Sequence, residues 1–263
     1  MARITLHQLQ AMKAKAEKIA MLTAYDASFG ALLEKAGIEV ILVGDSLGTV
    51  LHGAEHTLSV TMTEMIYHTK QVAYGNQTAW VIADLPFMSY SKPEKALDNA
   101  AALLAKGGAQ MVKLEGGTGI LDTVDQLVRC GIPVCGHLGL LPQSVHRFGY
   151  RVQGRDGKAA KEIMRQAEQL EQAGASMLVL ECVPATLAAD ITATLSIPVI
   201  GIGAGGACDG QVLVLYDMLG ITPGKQLRFS HNFLQETDSV LDAVKAYRQA
   251  VKTGHFPAEK HQY

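Results

Sequence analysis

The sequence predicts a single domain, residues 1–263, folded as a TIM-type (β/α)8 barrel with an N-terminal capping helix. Short apolar segments alternate with helical segments from residue 19 almost to the C-terminus, and such alternation is typical of a barrel or of a doubly wound sheet. The apolar segments lack a polar face, as expected of parallel strands that are buried on both sides. An internal repeat favours the barrel over the open sheet.

The repeat relates two segments that each contain one predicted strand. Residues 108–115, GAQMVKLE, match residues 174–181, GASMLVLE. The strands that follow repeat as well, because residues 132–134 and residues 197–199 both read IPV. The repeating unit is therefore two strand–helix modules, as in a barrel assembled from similar pieces.

The elements are predicted in order from the N-terminus. The first is an amphipathic helix that Thr5 caps and that has Leu6, Leu9 and Met12 on one face, and we expect it to cover one end of the domain. The predicted strands are Ile19–Tyr25, Val40–Gly44, Trp80–Ala83, Met111–Leu114, Pro133–Gly136, Met177–Leu180, Pro198–Ile202 and, as the eighth, Gln211–Leu219. The predicted helices between them are Ala27–Ala36, Thr63–Tyr74, Pro93–Lys106, Leu121–Cys130, Lys158–Gln172 and Pro184–Leu195.

Composition and charge exclude several classes of protein. Charged residues make up only 18% of the chain, less than the roughly 25% typical of soluble domains, which indicates extensive buried surface and a subunit interface. A net charge of −2, without a basic stripe between aromatic residues, argues against nucleic-acid binding. No apolar segment approaches the ~18 residues that indicate a membrane span. The N-terminus lacks the apolar core of a signal peptide, and the four cysteines form no Cys-x-x-Cys pair, so we expect a cytoplasmic protein with reduced thiols.

Four carboxylates stand at the carboxyl ends of predicted strands: Asp45, Asp84, Glu115 and Glu181. In a parallel barrel these ends share one rim, where active sites are built. The alternative is that each acid caps the helix that follows, although glutamate is a poor helix cap. Four acids on one rim would repel each other unless a cation lay among them. Because no Cys/His cluster accompanies them, the sequence predicts Mg²⁺ rather than Zn²⁺, held by two or three carboxylates.

Lys113 and His137 add two further groups to this rim. Strand alternation places Lys113 on the same face as Glu115, and the repeat has Val179 in the position of Lys113, so the scaffold does not require a lysine there. An ammonium group beside a metal suits an anionic substrate, and the alternative is a lysine buried only to neutralise its acidic neighbours. His137 follows Cys135 on the same face of strand five, and its alternative is a hydrogen-bonded structural histidine.

The segment GIGAGG, residues 201–206, formally matches the dinucleotide-binding pattern G-x-G-x-x-G. It comes late in the chain and outside the strand–turn–helix context that this pattern requires. We therefore interpret it as a tight loop after strand seven, or as a place where the backbone approaches a ligand closely.

Seven motifs stand in order along the chain. They are TAYDASF at residues 23–29, VGDSLG at 43–48, ADLPFMSY at 83–90, VKLEGG at 112–117, PVCGHLGL at 133–140, LVLECVP at 178–184 and IPVIGIGAG at 197–205. Together they resemble the ketopantoate (3-methyl-2-oxobutanoate) hydroxymethyltransferase family from the N-terminal helix to the C-terminus. Two small departures from the family pattern are Leu141, where a threonine is expected, and the segment FGYRVQGR at residues 148–155, which is one glycine short.

The resemblance implies a role for each residue of the rim. It implies that Asp45 and Asp84 bind one Mg²⁺ per subunit directly, with Glu115 as the third metal-site carboxylate. It also implies that a keto acid chelated to this metal contacts Ser46 and Lys113, with His137 nearby, and that Glu181 accepts the proton.

The reaction implied is the transfer of a hydroxymethyl group from 5,10-methylenetetrahydrofolate to 3-methyl-2-oxobutanoate, through a Mg-stabilised enolate. The product would be 2-dehydropantoate, on the route to pantothenate and coenzyme A. The family is decameric, which implies a homodecamer here. The folate-binding residues are not predicted by any motif.

Two other functions stay open. The nearer one is a barrel lyase of the isocitrate lyase and phosphoenolpyruvate mutase type, because Cys135-Gly136-His137 superficially resembles the Cys-Gly-His of those enzymes. Here the tripeptide lacks the lysine or arginine that precedes it there, and it lies on a predicted strand. The more distant one is a non-enzymatic barrel that senses a metal–keto acid complex.

Overall fold

Eight parallel strands close into a barrel in the computed structural model, which describes residues 3–224 and 226–263. The strands are β1 Ile19–Thr23, β2 Val40–Val43, β3 Trp80–Asp84, β4 Met111–Glu115, β5 Val134–Gly139, β6 Met177–Glu181, β7 Val199–Ile202 and β8 Gly210–Leu213. They follow each other in chain order around the barrel, and β8 pairs in parallel with β1 to close it. The predicted barrel is confirmed.

Helices surround this barrel. Within the described ranges they are α1 Leu6–Ala14, α2 Ala27–Ala36, α3 Leu47–Val50, α4 Met62–Gly75, α5 Pro93–Ala105, α6 Leu121–Arg129, α7 Val145–Phe148, α8 Gly157–Gln172, α9 Ala185–Thr194, α10 Leu215–Met218 and α11 Val240–Lys252. Short 3-10 helices lie at Thr57–Ser59, Thr118–Ile120, Pro142–Ser144, Leu234–Glu236 and Glu259–His261. The six longer helices that follow β1 to β6 were predicted within a few residues, whereas the one-turn helices at strand ends were not.

The eighth strand was predicted too long. β8 ends at Leu213, and residues 215–218 of the predicted strand form helix α10 instead. The chain leaves the sheet where the backbone N–H of Leu215 donates a hydrogen bond to the side-chain oxygen of Thr23 in β1, at 2.9 Å, and so does not continue the backbone pairing with that strand. The apolar residues continue across this boundary, and hydrophobicity alone does not separate a short buried strand from a short buried helix.

Helix α1 closes the end of the barrel opposite the predicted rim. Thr5 and Gln8 form a capping box at its start, which confirms the predicted cap, and Leu9 is fully buried. Lys13 Nζ lies 2.7 Å from Asp209 Oδ2, directly before β8. Since Asp209 stands at the amino end of a strand, α1 covers the amino ends and leaves the carboxyl ends open.

The four cysteines are all free thiols, in agreement with the predicted absence of a disulfide framework, and only Cys130 is exposed. Among the described residues, no helix has both the length and the apolar character needed to cross a membrane.

Candidate active site

The carboxyl ends of the strands bring the predicted acids to one rim. Asp84, Glu115 and Glu181 are the last residues of β3, β4 and β6, and Asp45 follows β2 after one glycine. None of the four caps a helix: the next helices have Lys92, Gly117 and Pro184 at the capping position, and Ser46, at the start of α3, makes no capping hydrogen bond. The interpretation of these acids as helix caps is therefore wrong.

One cavity of about 210 Å³ contains all seven residues that the sequence singled out. They are Asp45, Ser46, Asp84, Lys113, Glu115, His137 and Glu181. A cavity of this size matches a small organic acid and lies at the rim of the barrel where ligands of this fold are bound.

Asp45 and Asp84 lie against each other with little exposure to water. The backbone N–H of Asp45 donates to Asp84 Oδ2 at 3.1 Å, and each residue is only 3% exposed. Burial, followed by the charges of Asp84 and Glu115, raises the pKa of Asp45 well above its ordinary value. Burial also raises the pKa of Asp84, although Lys113 partly opposes that rise. A second negative charge is therefore costly here unless a cation approaches.

Lys113 is the cation that the protein itself supplies. Its Nζ lies 3.2 Å from Asp84 Oδ1 and 3.2 Å from His137 Nδ1. Burial alone would lower the pKa of Lys113, but the carboxylates of Asp84, Glu115 and Asp45 outweigh it and raise the pKa above its ordinary value. The side chain is therefore a fixed ammonium group facing the cavity.

His137 connects the metal-side acids to Glu181. Its Nε2 lies 3.2 Å from Glu181 Oε2, and its Nδ1 lies 3.6 Å from Glu115 Oε1. Burial and Lys113 lower the pKa of His137, yet the two glutamates outweigh them and raise it. The contact between His137 Nε2 and Glu181 Oε2 falls outside hydrogen-bond geometry, so it is a close polar contact between the ring and the carboxylate.

Ser46 has room to reach the cavity because Gly44, two residues before it, has no side chain. A Cβ at Gly44 would lie 2.8 Å from Ser46 Oγ, so a larger residue would displace the Ser46 hydroxyl. The hydroxyl of Ser46 lies 2.9 Å from the hydroxyl of Tyr25, which is buried at the end of β1. Tyr25 was not predicted as a site residue.

Gln143 is the main site residue that the sequence did not identify. Its Nε2 donates to Asp45 Oδ2 at 2.8 Å and to Leu85 O at 3.0 Å, while its backbone N–H donates to Glu115 Oε2 at 3.0 Å. Its Oε1 accepts from the hydroxyl of Tyr90 at 2.6 Å. A single buried residue thus fixes the carboxylates of both Asp45 and Glu115. It lies in a short 3-10 helix after β5, where no periodic pattern indicates an inward side chain.

These carboxylates are suited to a hard cation. Asp84 Oδ1 is buried and has no hydrogen-bond partner in residues 3–224 and 226–263, although Lys113 Nζ is near it. No group of three His, Cys, Asp or Glu side chains in those ranges is already arranged around a point as metal ligands. Two adjacent carboxylates are enough for Mg²⁺, which keeps water or substrate oxygens for its other positions.

The glycine segment after β7 is a tight loop, as one of the two interpretations predicted. Gly203 and Gly205 have φ angles of 61° and 87°, in the left-handed region that favours glycine. A Cβ at Gly205 would lie 2.7 Å from the Cβ of Ala185. The glycines therefore allow the loop to pack against α9 and the C-terminal segment.

Similar proteins identify the family of this chain. The sequence profile of ketopantoate hydroxymethyltransferase matches residues 3–259. The chain belongs to this family. It is 60% identical to a 3-methyl-2-oxobutanoate hydroxymethyltransferase of Nitrosococcus oceani over 98% of both chains. It is 56% identical to that of Tolumonas auensis over the full length of both chains. The chain is thus a transferase, and the alternative of a non-enzymatic sensor is wrong.

Two solved structures with the same fold are a hydrolase and a lyase. Phosphonopyruvate hydrolase superimposes with a TM-score of 0.63 at 12% identity, over 80% of this chain and 81% of its own. A 2,3-dimethylmalate lyase superimposes with a TM-score of 0.59 at 16% identity, over 82% and 79%. These identities show a shared fold, whereas family membership rests on the relatives above.

The environment of Cys135 differs from the one that a lyase with a reactive cysteine requires. The thiol is completely buried, and burial raises its pKa to about 12. A neutral, enclosed thiol is a poor nucleophile and a poor acid. Cys135 thus has the properties of a packing residue inside the barrel.

Proposed function

We propose that this chain transfers a hydroxymethyl group from 5,10-methylenetetrahydrofolate to 3-methyl-2-oxobutanoate, giving 2-dehydropantoate for pantothenate biosynthesis. The observation that carries the proposal is the cavity of about 210 Å³, which joins buried acids, one buried ammonium group and a more accessible glutamate. The names of the relatives supply the keto acid and the hydroxymethyl group.

Asp45 and Asp84 would hold Mg²⁺ directly, and Glu115 would face the same ion or its water ligands. The raised pKa values of both aspartates support this, because burial and mutual repulsion disfavour their charges until a cation is near. When bound, the ion would supply Lewis-acid stabilisation for negative charge developing on the keto oxygen. Phosphonopyruvate hydrolase was crystallised with oxalate and Mg²⁺, but that likeness is one of fold alone, so the proposal rests on the oxygen ligands of this chain.

Lys113 and Ser46 would hold the keto acid. The Lys113 ammonium is buried beside the aspartates, so its attraction for a carboxylate is little screened by water. Ser46 Oγ lies within hydrogen-bond distance of the Tyr25 hydroxyl. That hydroxyl can accept a hydrogen bond from Ser46 or donate one to it, and either bond would orient the serine hydroxyl. The substrate would then be fixed at two points beside the metal ligands.

Glu181 would remove the proton from C3 of the keto acid. It is the most accessible of the four acids, with a side-chain exposure of 16%, and His137 holds its Oε2 at 3.2 Å. A base must reach carbon rather than the metal, and β6 stands apart from β2 and β3 around the barrel. C3 would then form a bond to the methylene carbon of methylenetetrahydrofolate. The two bonds from that carbon to the folate nitrogens would break, one water would supply the new hydroxyl group, and the protons lost by C3 and by the water would leave on the nitrogens of tetrahydrofolate.

The proposal also includes one Mg²⁺ per subunit, a cytoplasmic location, a single domain and a homodecamer. The low content of charged residues, 18%, supports an extensive subunit interface. Sedimentation of the purified chain tests the assembly, since a monomer would contradict that part of the proposal.

Formation of 2-dehydropantoate is the direct test of the reaction. The parent chain should form it from 3-methyl-2-oxobutanoate only when both methylenetetrahydrofolate and Mg²⁺ are present. Absence of product under those conditions would overturn the proposed function.

The Glu181→Gln variant tests the base, and Glu115→Gln is its control at the equivalent strand end of the internal repeat. Glu181→Gln should still bind Mg²⁺ and the keto acid, and should lose C3 deuterium exchange and turnover together, by a factor on the order of 10²–10⁴. Glu115→Gln should instead weaken Mg²⁺ binding. Exchange at the parent rate in Glu181→Gln would show that the base is another residue, with His137 the next candidate.

A further inference from the structure

A second and larger cavity opens directly beside the keto-acid cavity. It has a volume of about 800 Å³, and it shares Glu181, Leu227 and Phe229 with the smaller one. The smaller cavity has room for a small organic acid, whereas the larger one falls in the range of roughly 300–1,000 Å³ that holds drug-sized ligands. The two cavities therefore match a reaction between one small and one large substrate.

The walls of the larger cavity suit flat rings. Phe229, Tyr150 and Tyr263 contribute aromatic side chains, and Phe229 is nearly buried while Tyr150 is 58% exposed. Aromatic faces stack on heterocycles regardless of the exact ring. A pteridine and an aminobenzoyl group are rings of this kind.

The charges of the cavity are unevenly distributed. Glu181 is the only acid among the described residues that line it, and it lies at the end shared with the keto-acid cavity. Arg151 and Arg155 also line the cavity, and both are exposed. Arg151 Nε donates to Phe148 O at 2.9 Å, which leaves its terminal nitrogens available. Guanidinium groups bind carboxylates through paired hydrogen bonds, so the exposed part of the cavity suits an anionic tail.

We propose that this cavity binds the folate co-substrate, with the rings against Phe229, Tyr150 and Tyr263 and the glutamate carboxylates on Arg151 and Arg155. The inference rests on the proposed function, which requires a folate. It assigns the co-substrate a position on the side of Glu181 away from Asp45 and Asp84. The reactive carbon of methylenetetrahydrofolate lies between its two ring systems, so that junction has to reach the shared end of the cavity, beside Glu181.

The segment that forms this wall is the one in which the sequence departs from the family pattern. Tyr150, Arg151, Val152, Gln153 and Arg155 all lie between α7 and α8. The segment was singled out only for its length. Its location beside the shared Glu181 is what assigns it a ligand.

The test measures tetrahydrofolate binding by calorimetry under anaerobic conditions, in the parent and in the double variant Arg151→Met/Arg155→Met. Methionine keeps an unbranched side chain and removes the charge. We expect the dissociation constant for tetrahydrofolate to rise about tenfold or more, because a charge-assisted hydrogen bond is among the stronger polar contacts. The KM for methylenetetrahydrofolate should rise with it, while the KM for the keto acid and the C3 exchange rate stay at the parent values.

A second probe and a control variant separate the arginine contacts from a general change of shape. 6-Methyltetrahydropterin lacks the aminobenzoyl-glutamate tail, so the double variant should bind it as the parent does. Arg129→Met removes an arginine from α6 that pairs with Asp125 at 2.9 Å, far from the cavity lining, and should change neither probe's affinity.

Three outcomes would overturn the assignment. Parent-like tetrahydrofolate binding in the double variant would show that the tail binds elsewhere. Equal losses for tetrahydrofolate and for 6-methyltetrahydropterin would show that the arginines only shape the cavity. If the double variant gives either of these results while the parent forms 2-dehydropantoate and binds tetrahydrofolate, only this inference fails. If the parent neither forms 2-dehydropantoate nor binds tetrahydrofolate, the proposed function fails as well.

Discussion

Asp45 and Asp84 should respond differently to replacement by asparagine, although they lie at adjacent strand ends. Asp84 has Lys113 Nζ at 3.2 Å to compensate its charge. Asp45 has Gln143 Nε2 as a neutral donor at 2.8 Å and the negative charges of Asp84 and Glu115 nearby. Asp45→Asn keeps a carbonyl oxygen for Gln143 and removes the less compensated charge. We expect it to stabilise the metal-free protein, and Asp84→Asn to stabilise it less.

The size of the effect follows from the pKa of Asp45. Each unit by which folding raises the pKa of a carboxyl group costs about 1.4 kcal/mol of stability once the group is ionised. For a chain of this length, about 1.4 kcal/mol corresponds to roughly 3–6 °C in melting temperature. Since the pKa of Asp45 is raised well above its ordinary value, Asp45→Asn should gain at least this much at neutral pH.

The sign of the pH dependence is fixed by the same shift. In the unfolded chain Asp45 loses its proton near the ordinary pKa of aspartate, and in the folded chain only at higher pH. The parent therefore loses stability as the pH rises from the ordinary value to the raised one. The variant has no such loss at this position, so its advantage should be absent near pH 4 and should grow as the pH rises.

The assay is thermal unfolding in EDTA and in excess Mg²⁺ across that pH range, for the parent and both variants. Mg²⁺ should raise the melting temperature of the parent through binding to the folded state. It should change the melting temperature of either variant little, and both variants should lose most turnover. The reasoning is refuted if Asp45→Asn is less stable than the parent in EDTA at neutral pH, or if its advantage does not change with pH. Parent-like Mg²⁺ binding in both variants would show that these residues are not the metal ligands.

Two further variants test the substrate contact and the reaction class. Lys113→Met should raise the KM for the keto acid about tenfold or more, because a hydrogen bond to a charged group is worth roughly 1.5–3 kcal/mol; an equal rise in the KM for methylenetetrahydrofolate would indicate general damage to the rim. Cys135→Ser should retain turnover within about twofold, because the buried thiol with a pKa of about 12 is neutral at working pH. Loss of turnover in Cys135→Ser, with the fold intact, would favour the lyase mechanism.

The barrel and six of the seven clustered residues were predictable from local patterns, whereas Ser46 was assigned to the site only through the family resemblance. Apolar segments with turns between them indicate strands, and the first polar residue after an apolar segment marks the carboxyl end. Asp84, Glu115 and Glu181 stand at that position in the chain, and the closed barrel then brings them to one rim. The eighth strand was less well predicted, because its apolar residues continue into α10 and only a contact with Thr23 ends the strand.

Gln143 and Tyr90 were not predictable in the same way. Each is part of a loop whose path depends on tertiary contacts, and their mutual hydrogen bond joins residues 53 positions apart. The sequence offered one signal, a proline and a glutamine that begin three residues after the end of the strand that contains His137. Nothing local indicates that the glutamine side chain turns inward to Asp45, so the contact became visible only in the folded chain.

The internal repeat shows why equivalent positions can carry different chemistry. Glu115 and Glu181 end strands at equivalent positions of the repeat, yet their surroundings differ. Glu115 accepts a hydrogen bond from the backbone of Gln143 at 3.0 Å and is 5% exposed, so it is held in place near the metal-side acids. Glu181 has no such donor within the described ranges, and it borders both cavities. The scaffold supplies two carboxylates at equivalent strand ends, and the loop that contains Gln143 fixes one of them while the other is left accessible to the substrates.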